Sequence, residues 1–189
     1  MARWESDSRG RLEQAALALY SERGFEQTTV AEIARRAGLT ERTFFRHFAD
    51  KREVLFWGAG ALQEFLVLSV TSAPEATAPI AAIAAALEAA ATAVFQGYRE
   101  HSRQRQAVIA ANAGLQEREL IKLAALASAI AEALRRRGVG DPTASLTAEA
   151  GIAVFKIAFE RWVDEDNQRD LSQLIRESFD ELKAAIAGN

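Results

Sequence analysis

The stretch from Thr29 to Phe56 reads TVAEIARRAGLTERTFFRHFADKREVLF, and it contains the start and stop signals of two consecutive short helices. Thr29, with Glu32 three residues later, forms a capping box that predicts a helix starting directly after it. Gly38 follows the last turn, where glycine can adopt the left-handed conformation favoured at helix C-termini. Thr40 is placed to cap a second helix. The pattern therefore predicts two helices joined by a glycine-containing turn.

The second of these helices has an apolar face and a polar face. Phe44 and Phe48, four residues apart, are predicted to form the buried face. The residues that face outward or sideways are Glu41, Arg42, Thr43, Phe45, Arg46 and His47. Asp50, with Glu53 three residues later, predicts the start of a further helix. Two short helices of this kind are typical of the helix-turn-helix, whose second helix enters the major groove of DNA.

With these residues the chain resembles the tetracycline-repressor (TetR) family of bacterial transcription regulators. The resemblance covers Arg9 to Trp57, and it is carried by Gly24-Phe25, Thr28-Thr29-Val30, Ile33-Ala34, Ala37-Gly38-Leu39, Thr43-Phe44-Phe45-Arg46-His47-Phe48 and Lys51. It implies an all-α fold. A three-helix DNA-binding domain over residues 1–50, with its first helix from Arg9 to Arg23, would be joined to a helical ligand-binding and dimerisation domain over residues 51–189.

The family pattern assigns roles in DNA binding to nine residues. Contacts with the phosphate backbone, which set register without reading sequence, are expected from Thr29, Thr40, His47 and Lys51. Contacts with base edges, where Arg pairs with guanine and Glu accepts from cytosine, are expected from Glu41, Arg42, Thr43 and Arg46. Phe45 departs from the family, because many members carry a tyrosine there that bonds a phosphate. With phenylalanine at this position, one contact with the phosphate backbone of DNA is lost and only the packing of the ring remains.

These residues also have purely structural explanations. Outside the motif, His47 would be interpreted as a surface or partly buried histidine, and Arg35 and Arg36 as solvated helix residues. The Phe44 and Phe48 pair is better explained as core than as a surface for base stacking. Likewise, the triplet Arg135–Arg137 is interpreted as a helix C-terminus, where cations interact favourably with the helix dipole.

Charge gives the DNA-binding interpretation modest support. The chain has 23 Lys and Arg against 26 Asp and Glu, and within residues 1–56 there are ten basic and nine acidic residues. A DNA-binding domain commonly has a clear basic surface, so the arrangement matters more than the total. The basic side chains clustered around His47 are Arg42, Arg46, Lys51 and Arg52. We expect DNA affinity to depend strongly on salt, because several phosphates would release counterions.

Composition narrows the class of protein. The absence of cysteine excludes a disulfide framework and a zinc–cysteine site, and it fits a reducing cytoplasm. The start MARWESDSRG lacks the apolar core of a signal peptide, and no uninterrupted stretch approaches about 20 apolar residues. We expect a soluble cytoplasmic protein with no membrane partner, no metal and no cofactor.

Helical periodicity continues through the rest of the chain, with no strand pattern and no internal repeat. The predicted helices are Lys51–Val70, Ile80–Arg99, Ser102–Leu120, Leu115–Arg137, Ser145–Val163 and a last one along Leu171 to Ile186. Gly114 is predicted to bend or break the run from Ser102 to Leu120.

The last two helices predict a homodimer. The helix Ser145–Val163 is apolar on more than one side and must be covered twice, and the family usually forms a four-helix dimer interface here. The residues predicted to contact the partner are Ile152, Phe155, Phe159, Trp162, Leu171, Leu174, Ile175, Phe179 and Leu182. The alternative is a monomer whose helices pack among themselves.

Small and apolar side chains in the second domain favour a hydrophobic or amphipathic ligand. The candidate pocket residues, which are equally compatible with plain core, are Phe65, Phe95, Tyr98, Asn112, Phe155 and Phe159. In the expected mechanism, the ligand shifts the long helix that starts at Lys51 and changes the separation of two DNA-binding domains. It thereby releases the homodimer from a palindromic site. Repression is the usual behaviour of the family.

Two other classes compete with this interpretation. An enzyme is disfavoured, because the chain has only His47 and His101, no cysteine, no glycine-rich phosphate loop and no metal-spaced cluster. A helical regulator that acts through protein contacts after losing DNA binding would explain Phe45 and the weak positive charge. A mobility-shift assay with the upstream region of the chain's own gene separates this last class from a DNA-binding regulator.

Overall fold

A computed structural model describes residues 2–188, with side-chain surroundings from residue 8 onward. All regular structure within that range is helical, which confirms the predicted all-α fold. A 3-10 helix lies at Glu53–Phe56 between the third and fourth α-helices. The α-helices of the described range are α1 Ala2–Arg23, α2 Val30–Arg36, α3 Glu41–His47, α4 Ala59–Thr71, α5 Pro79–Ala93, α6 Arg99–Ala110, α7 Ala113–Arg136, α8 Thr143–Val163 and α9 Leu171–Ala187.

The helices form two compact units. The first unit, here called the head, contains the residues up to Ala59 together with Gln104–Glu119. The second, the body, contains Gly60–Arg103 and the residues from Leu120 onward. This division differs from the boundary expected at residue 50. The 3-10 helix belongs to the head because its residues Val54, Leu55 and Phe56 are buried in the head core.

The head core is built by α1, α2 and α3. Leu12, Ile33 and Phe44, one from each helix, have no exposed surface. Side chains of this size each contribute about 1.5–3 kcal/mol when they are buried. The Tyr20 hydroxyl, also in this core, donates a hydrogen bond to the Lys51 carbonyl oxygen at 2.6 Å. Burial raises the pKa of Tyr20 well above its ordinary value, so the hydroxyl remains a proton donor.

A segment distant in sequence completes the head core. This segment, Gln104–Glu119, is the end of α6 and the start of α7, and we call it the α6–α7 corner. Val108, Ile109 and Leu115 of the corner are buried in the same cluster as the apolar residues of α1 and α3. The corner is therefore a structural part of the head.

Polar contacts also attach the corner to the rest of the head. The Arg105 guanidinium donates to the Leu55 carbonyl at 2.6 Å and lies 5.0 Å from the centre of the Phe56 ring. Arg105 also pairs with Glu119 at 3.1 Å, while its burial lowers its pKa.

A second link involves Asn112, whose side-chain amide donates to the Glu26 carboxylate at 2.8 Å. The side-chain oxygen Oδ1 of Asn112 accepts from the Leu115 backbone N–H at 3.0 Å, so Asn112 caps α7. This cap explains why the break between α6 and α7 lies at Ala111–Asn112, slightly before the predicted position at Gly114.

The body core is formed by α4, α5, α7, α8 and α9. Ile83, Leu134 and Leu174 are fully buried in it. The helices α5 and α8 approach closely at Gly151, because a Cβ there would lie only 2.5 Å from Cγ2 of Ile83. A glycine at this position permits the approach of the two helices.

The predicted continuous helix from Lys51 to Val70 is wrong. The Asp50 carboxylate accepts from the backbone of Glu53 at 3.1 Å, but the turn it starts is the short 3-10 helix. A turn at Trp57–Gly58 follows before α4 begins. By length and composition alone, the run Glu53–Thr71 is apolar enough to cross a membrane. The turn divides this run, and Leu66 and Val70 near its end are buried in the body core.

Candidate nucleic-acid interface

The turn between α2 and α3 has the predicted glycine geometry. Gly38 has φ of +65°, and the backbone N–H of Leu39 donates to the Ala34 carbonyl at 2.8 Å. The Arg11 guanidinium, on α1, donates to the Ala37 carbonyl and leaves only 2.8 Å between its Nη2 atom and a Cβ built on Gly38. A side chain at this position would be strained by the left-handed backbone, whereas the flexible end of Arg11 could move aside. Sequence reasoning missed Arg11, which no local pattern connects with the turn.

The start and the inner face of α3 are fixed by three residues. The Thr40 hydroxyl accepts from the Thr43 backbone at 3.2 Å, as predicted for an N-cap. Phe44 is fully buried, and its ring centre lies 5.4 Å from that of Phe48, which is also buried. Because one face of α3 is anchored in the head core, the opposite face is directed to solvent.

Arg42 and Arg46 occupy that outward face, and both are exposed. Successive residues of an α-helix are about 100° apart, so these two residues lie within about 40° of each other around the helix axis. With Thr43 they line a surface hollow of about 460 Å³. Two guanidinium groups on one short helix can each form paired hydrogen bonds with guanine.

Ion pairing explains how a head with nearly balanced charge presents a positive helix. Arg42 and Arg46 have no ion pair among the side chains from residue 8 to residue 188. Three acidic residues of the head are instead held by other arginines, in the pairs Glu22–Arg36 at 2.6 Å, Glu32–Arg23 at 3.0 Å and Asp50–Arg52 at 2.7 Å. The hydrogen bond from Arg36 lowers the pKa of Glu22, and that from Arg52 lowers the pKa of Asp50. The positive charge of α3 is therefore left available for a ligand.

Three of the four residues expected to contact phosphate lie at the ends of α2 and α3. Thr29 and Thr40 are exposed at the starts of α2 and α3, and Thr29 forms the predicted capping box with Glu32. Helix N-termini of this kind present backbone N–H groups and a favourable dipole to an anion. His47 is half-buried at the end of α3 and packs edge-on against Phe48.

Lys51, the fourth residue expected to contact phosphate, is bonded within the head. Its ammonium group donates to the backbone carbonyls of Phe25 at 2.9 Å, Glu26 at 3.3 Å and Thr28 at 3.0 Å. It also lies 4.4 Å from the centre of the Phe25 ring. An ammonium group has three protons, and all three are used by these carbonyls. Lys51 therefore stabilises the connection between α1 and α2, and this geometry disfavours the phosphate contact expected from the sequence.

Three of the six predicted ligand-binding residues come together in the body. The rings of Phe95, Phe155 and Phe159 have centres 5.8–5.9 Å apart, and Trp162 joins them at 5.6 Å from Phe159. We call these four residues the aromatic cluster. Phe65 is partly buried against the same body core, with no ring contact to these four residues among the described side chains.

The other two predicted ligand-binding residues have different surroundings. Tyr98 is 60% exposed and lies edge-on to His101. Asn112 belongs to the head, where it caps α7 and bonds Glu26. A surface hollow of about 380 Å³ in the body contains none of the six residues, and it is lined by Ile80, Ala81, Ala84, Ala85, Glu88, Phe179 and Lys183.

The residues predicted to form the dimer interface lie in or against the body core of the chain. A side chain that is buried within its own chain offers no surface to a partner. Seven of the nine are at most 7% exposed, namely Ile152, Phe155, Trp162, Leu171, Leu174, Ile175 and Phe179. The remaining two, Phe159 and Leu182, are partly buried against the same core. This burial disfavours a partner contact through these side chains, and which residues form the dimer interface stays a prediction.

The apolar surface that α8 does expose lies on its opposite side. Leu146 is 66% exposed and Ile157 is 50% exposed. With Ala150 and Ala153 between them at helical spacing, they form a narrow stripe along the helix. We call these four residues the α8 stripe.

Comparisons with known proteins agree with this architecture. Residues 13–56 match the family model described as "Bacterial regulatory proteins, tetR family", and residues 77–187 match the one described as "MftR C-terminal domain". The regulator TcmR of Streptomyces glaucescens is 36% identical over 93 residues, which are 49% of this chain and 41% of TcmR. The match to this curated relative thus spans less than half of its length.

Solved structures extend the similarity to nearly the whole chain at the level of fold. Thermus thermophilus FadR, a TetR-family repressor in complex with lauroyl-CoA, has a TM-score of 0.56 and 23% identity, with 93% of each chain covered. SmeT of Stenotrophomonas maltophilia, in its triclosan complex, has a TM-score of 0.67 and 21% identity, with 94% of this chain and 90% of SmeT covered. The helix-turn-helix head, the helical body and the two matching family models together establish that this chain belongs to the TetR family of bacterial transcriptional regulators.

Proposed function

We propose that this regulator binds a palindromic DNA operator as a homodimer, represses transcription in the cytoplasm, and is released by a small apolar or amphipathic ligand. The observation that carries the proposal is the outward face of α3. Arg42 and Arg46 are exposed there without an ion pair among the described side chains, on a helix whose inner residue Phe44 is fully buried. This is the arrangement by which a recognition helix presents side chains to the major groove.

The residues around α3 have complementary roles in this proposal. Arg42, Thr43 and Arg46, with Glu41 at the start of the helix, contact base edges. Thr29 and Thr40, at the two helix N-termini, and His47 contact the phosphate backbone and fix the register. Lys51 is left out, because its three protons are used within the head.

The α8 stripe supports the homodimer. An exposed apolar stripe on a helix that is already buried on its other side favours a second cover. In the family this helix usually takes part in the dimer interface, and a second copy of the chain supplies an identical stripe about a twofold axis. The twofold axis places two copies of α3 in successive major grooves, with half-sites about 34 Å apart.

The aromatic cluster supports a ligand site in the body. FadR and SmeT have been solved with lauroyl-CoA and triclosan, respectively, and both of these ligands carry apolar parts. An apolar surface for such a ligand is offered by the rings of Phe95, Phe155 and Phe159. The ligand would insert between these rings and move them apart. Such a ligand releases DNA only if it binds more tightly to the protein conformation that does not bind DNA.

The decisive experiment is selection of bound duplexes from a random DNA pool with the full-length chain. We expect a palindromic site, and we expect R46A and T43A to lose base preference at defined positions of each half-site. The body variant R136A is the matched control, because Arg136 is an exposed arginine outside the head, and it should select the same site as the parent. If the parent chain enriches no duplex from the pool, the proposed function is contradicted. That result would favour a regulator that acts through protein contacts.

A further inference from the structure

Phe45 is an exposed aromatic residue on a surface that is otherwise polar. Its side chain is 55% exposed, although it is next to the fully buried Phe44. The two ring centres are 5.4 Å apart and their planes meet at 82°, an edge-to-face contact. The Phe45 ring is thus held against a fixed partner while much of its surface remains in solvent.

Phe45 lies on the same outward half of α3 as the two arginines. At about 100° per residue, Phe45 is about 60° from Arg42 and about 100° from Arg46 around the helix axis. A helix that places Arg42 and Arg46 against base edges therefore also brings Phe45 to the floor or the wall of the groove. Residues three apart on a helix are about 5–6 Å from each other, so Phe45 falls within about two base pairs of the base that Arg42 contacts.

The chemistry of the ring limits what it can recognise there. Phenylalanine has no group that can hydrogen-bond a phosphate oxygen, so covering the Phe45 ring with phosphate would gain nothing. In the major groove, the C5-methyl group of thymine is the apolar group presented at a base edge. Contact between this methyl group and the exposed ring removes apolar surface of both partners from water.

We propose that Phe45 selects thymine at one position in each half-site by packing on its 5-methyl group. The inference rests on the proposed DNA binding but goes beyond it, since it names the base and the atom that Phe45 recognises. The ring is held in place before binding by Phe44, so little side-chain entropy is lost when the contact forms.

The test replaces thymine by deoxyuridine, which lacks only the methyl group, at one position of the selected duplex at a time. Affinity of the full-length chain is measured by fluorescence anisotropy. We expect roughly fourfold weaker binding at one thymine in each half-site and little change at the other thymines, as for the loss of one buried methyl group. With F45A, deoxyuridine at that position should cost nothing further, whereas F45L, which keeps an apolar side chain, should retain part of the effect.

The control protein is L68A, because Leu68 is an exposed apolar residue of α4 in the body and should leave the thymine effect unchanged. Circular dichroism melting shows whether F45A remains folded. The inference is overturned if the parent chain is indifferent to deoxyuridine at every position, or if the same penalty persists in F45A. It is also overturned if F45A weakens all duplexes equally, which would indicate packing on the sugar–phosphate backbone.

Failure of this inference can be distinguished from failure of the proposed function. If the chain selects a defined duplex but ignores the methyl groups, only the role of Phe45 is wrong. If the chain selects no duplex at all, DNA binding itself is wrong, and the inference about Phe45 falls with it.

Discussion

Arg118 donates two hydrogen bonds to one carboxylate oxygen of Glu53, at 2.8 Å from Nε and 2.6 Å from Nη2. The two residues are 65 positions apart in the chain, and they connect the α6–α7 corner to the 3-10 helix of the head. Both side chains are partly shielded, with 37% of Arg118 and 22% of Glu53 exposed. The pair thus supports a contact that local sequence does not specify.

We expect the Arg118–Glu53 pair to contribute about 1 kcal/mol to the free energy of unfolding, at the upper end for partly exposed pairs. The measurement is a double-mutant cycle with E53Q, R118Q and the double variant in chemical denaturation. The control cycle uses Glu132 and Arg136, an exposed pair at 4.0 Å in the body, for which the coupling should be close to zero. Equal coupling in the two cycles would show that the corner is not held by this contact.

The close approach of α5 and α8 makes Gly151 sensitive to a single added methyl group. We expect G151A to destabilise the chain by about 1–3 kcal/mol, because its Cβ would overlap the fully buried Ile83. G60A is the matched control, since Gly60 is also in a helix but a Cβ there meets no atom within 4 Å. Thermal melting of both variants tests the prediction, and unchanged stability of G151A would show that the two helices can separate at no cost.

The α8 stripe predicts where the proposed dimer can be broken without unfolding the single chain. We expect I157E to give a folded monomer at micromolar concentration, because Ile157 is half exposed in the protomer and a charge would be buried between two copies. The control I121E changes an equally exposed isoleucine of α7 and should leave the dimer intact. Size-exclusion chromatography with light scattering measures the mass. If I157E remains a dimer, the dimer interface does not include this stripe.

The capping box predicts a loss of stability in acid. Two hydrogen bonds from Thr29 lower the pKa of Glu32 in the folded chain. The bond from the Thr29 backbone N–H has the larger effect, and the bond from its hydroxyl adds to it. A lowered folded pKa means that the stabilisation is present above the unfolded pKa and disappears as the pH falls through the folded pKa. We expect E32Q to remove part of the decrease in melting temperature between about pH 5 and about pH 3.

The control for the acid experiment is E75Q, at an exposed position in the loop before α5. It should show the same pH dependence as the parent chain. If E32Q also follows the parent, the carboxylate of the capping box does not contribute to acid unfolding.

The helix-turn-helix could be predicted from sequence because its determinants are local. Thr29 bonds Glu32, Thr40 bonds Thr43, and Gly38 closes α2, so each signal lies within four residues of its partner. The same proximity explains why the buried face of α3 could be predicted from Phe44. The spacing of apolar residues along one helix and its capping residues are sufficient to define these features.

The features that sequence reasoning missed depend on contacts between distant segments. Asn112 bonds Glu26 across 86 positions, and no local pattern indicates that α6 and α7 supply part of the head. The direction of the apolar faces of α8 was also undetermined. A helix that is apolar on two sides does not reveal which side the protomer covers, and here Ile152 lies inward while Ile157 lies outward. Lys51 shows the same limit, since its partners are backbone carbonyls.

The burial of Val108, Ile109 and Leu115 in the head has a consequence for protein engineering. A fragment cut at Ala59 would lose these three side chains and expose the apolar surface they cover, so the isolated N-terminal piece should aggregate or melt early. A chimera that transplants this DNA-binding specificity onto another regulator must therefore graft residues 104–119 together with the N-terminal helices. The recognition module of this protein is discontinuous in the gene, although it is a single unit in space.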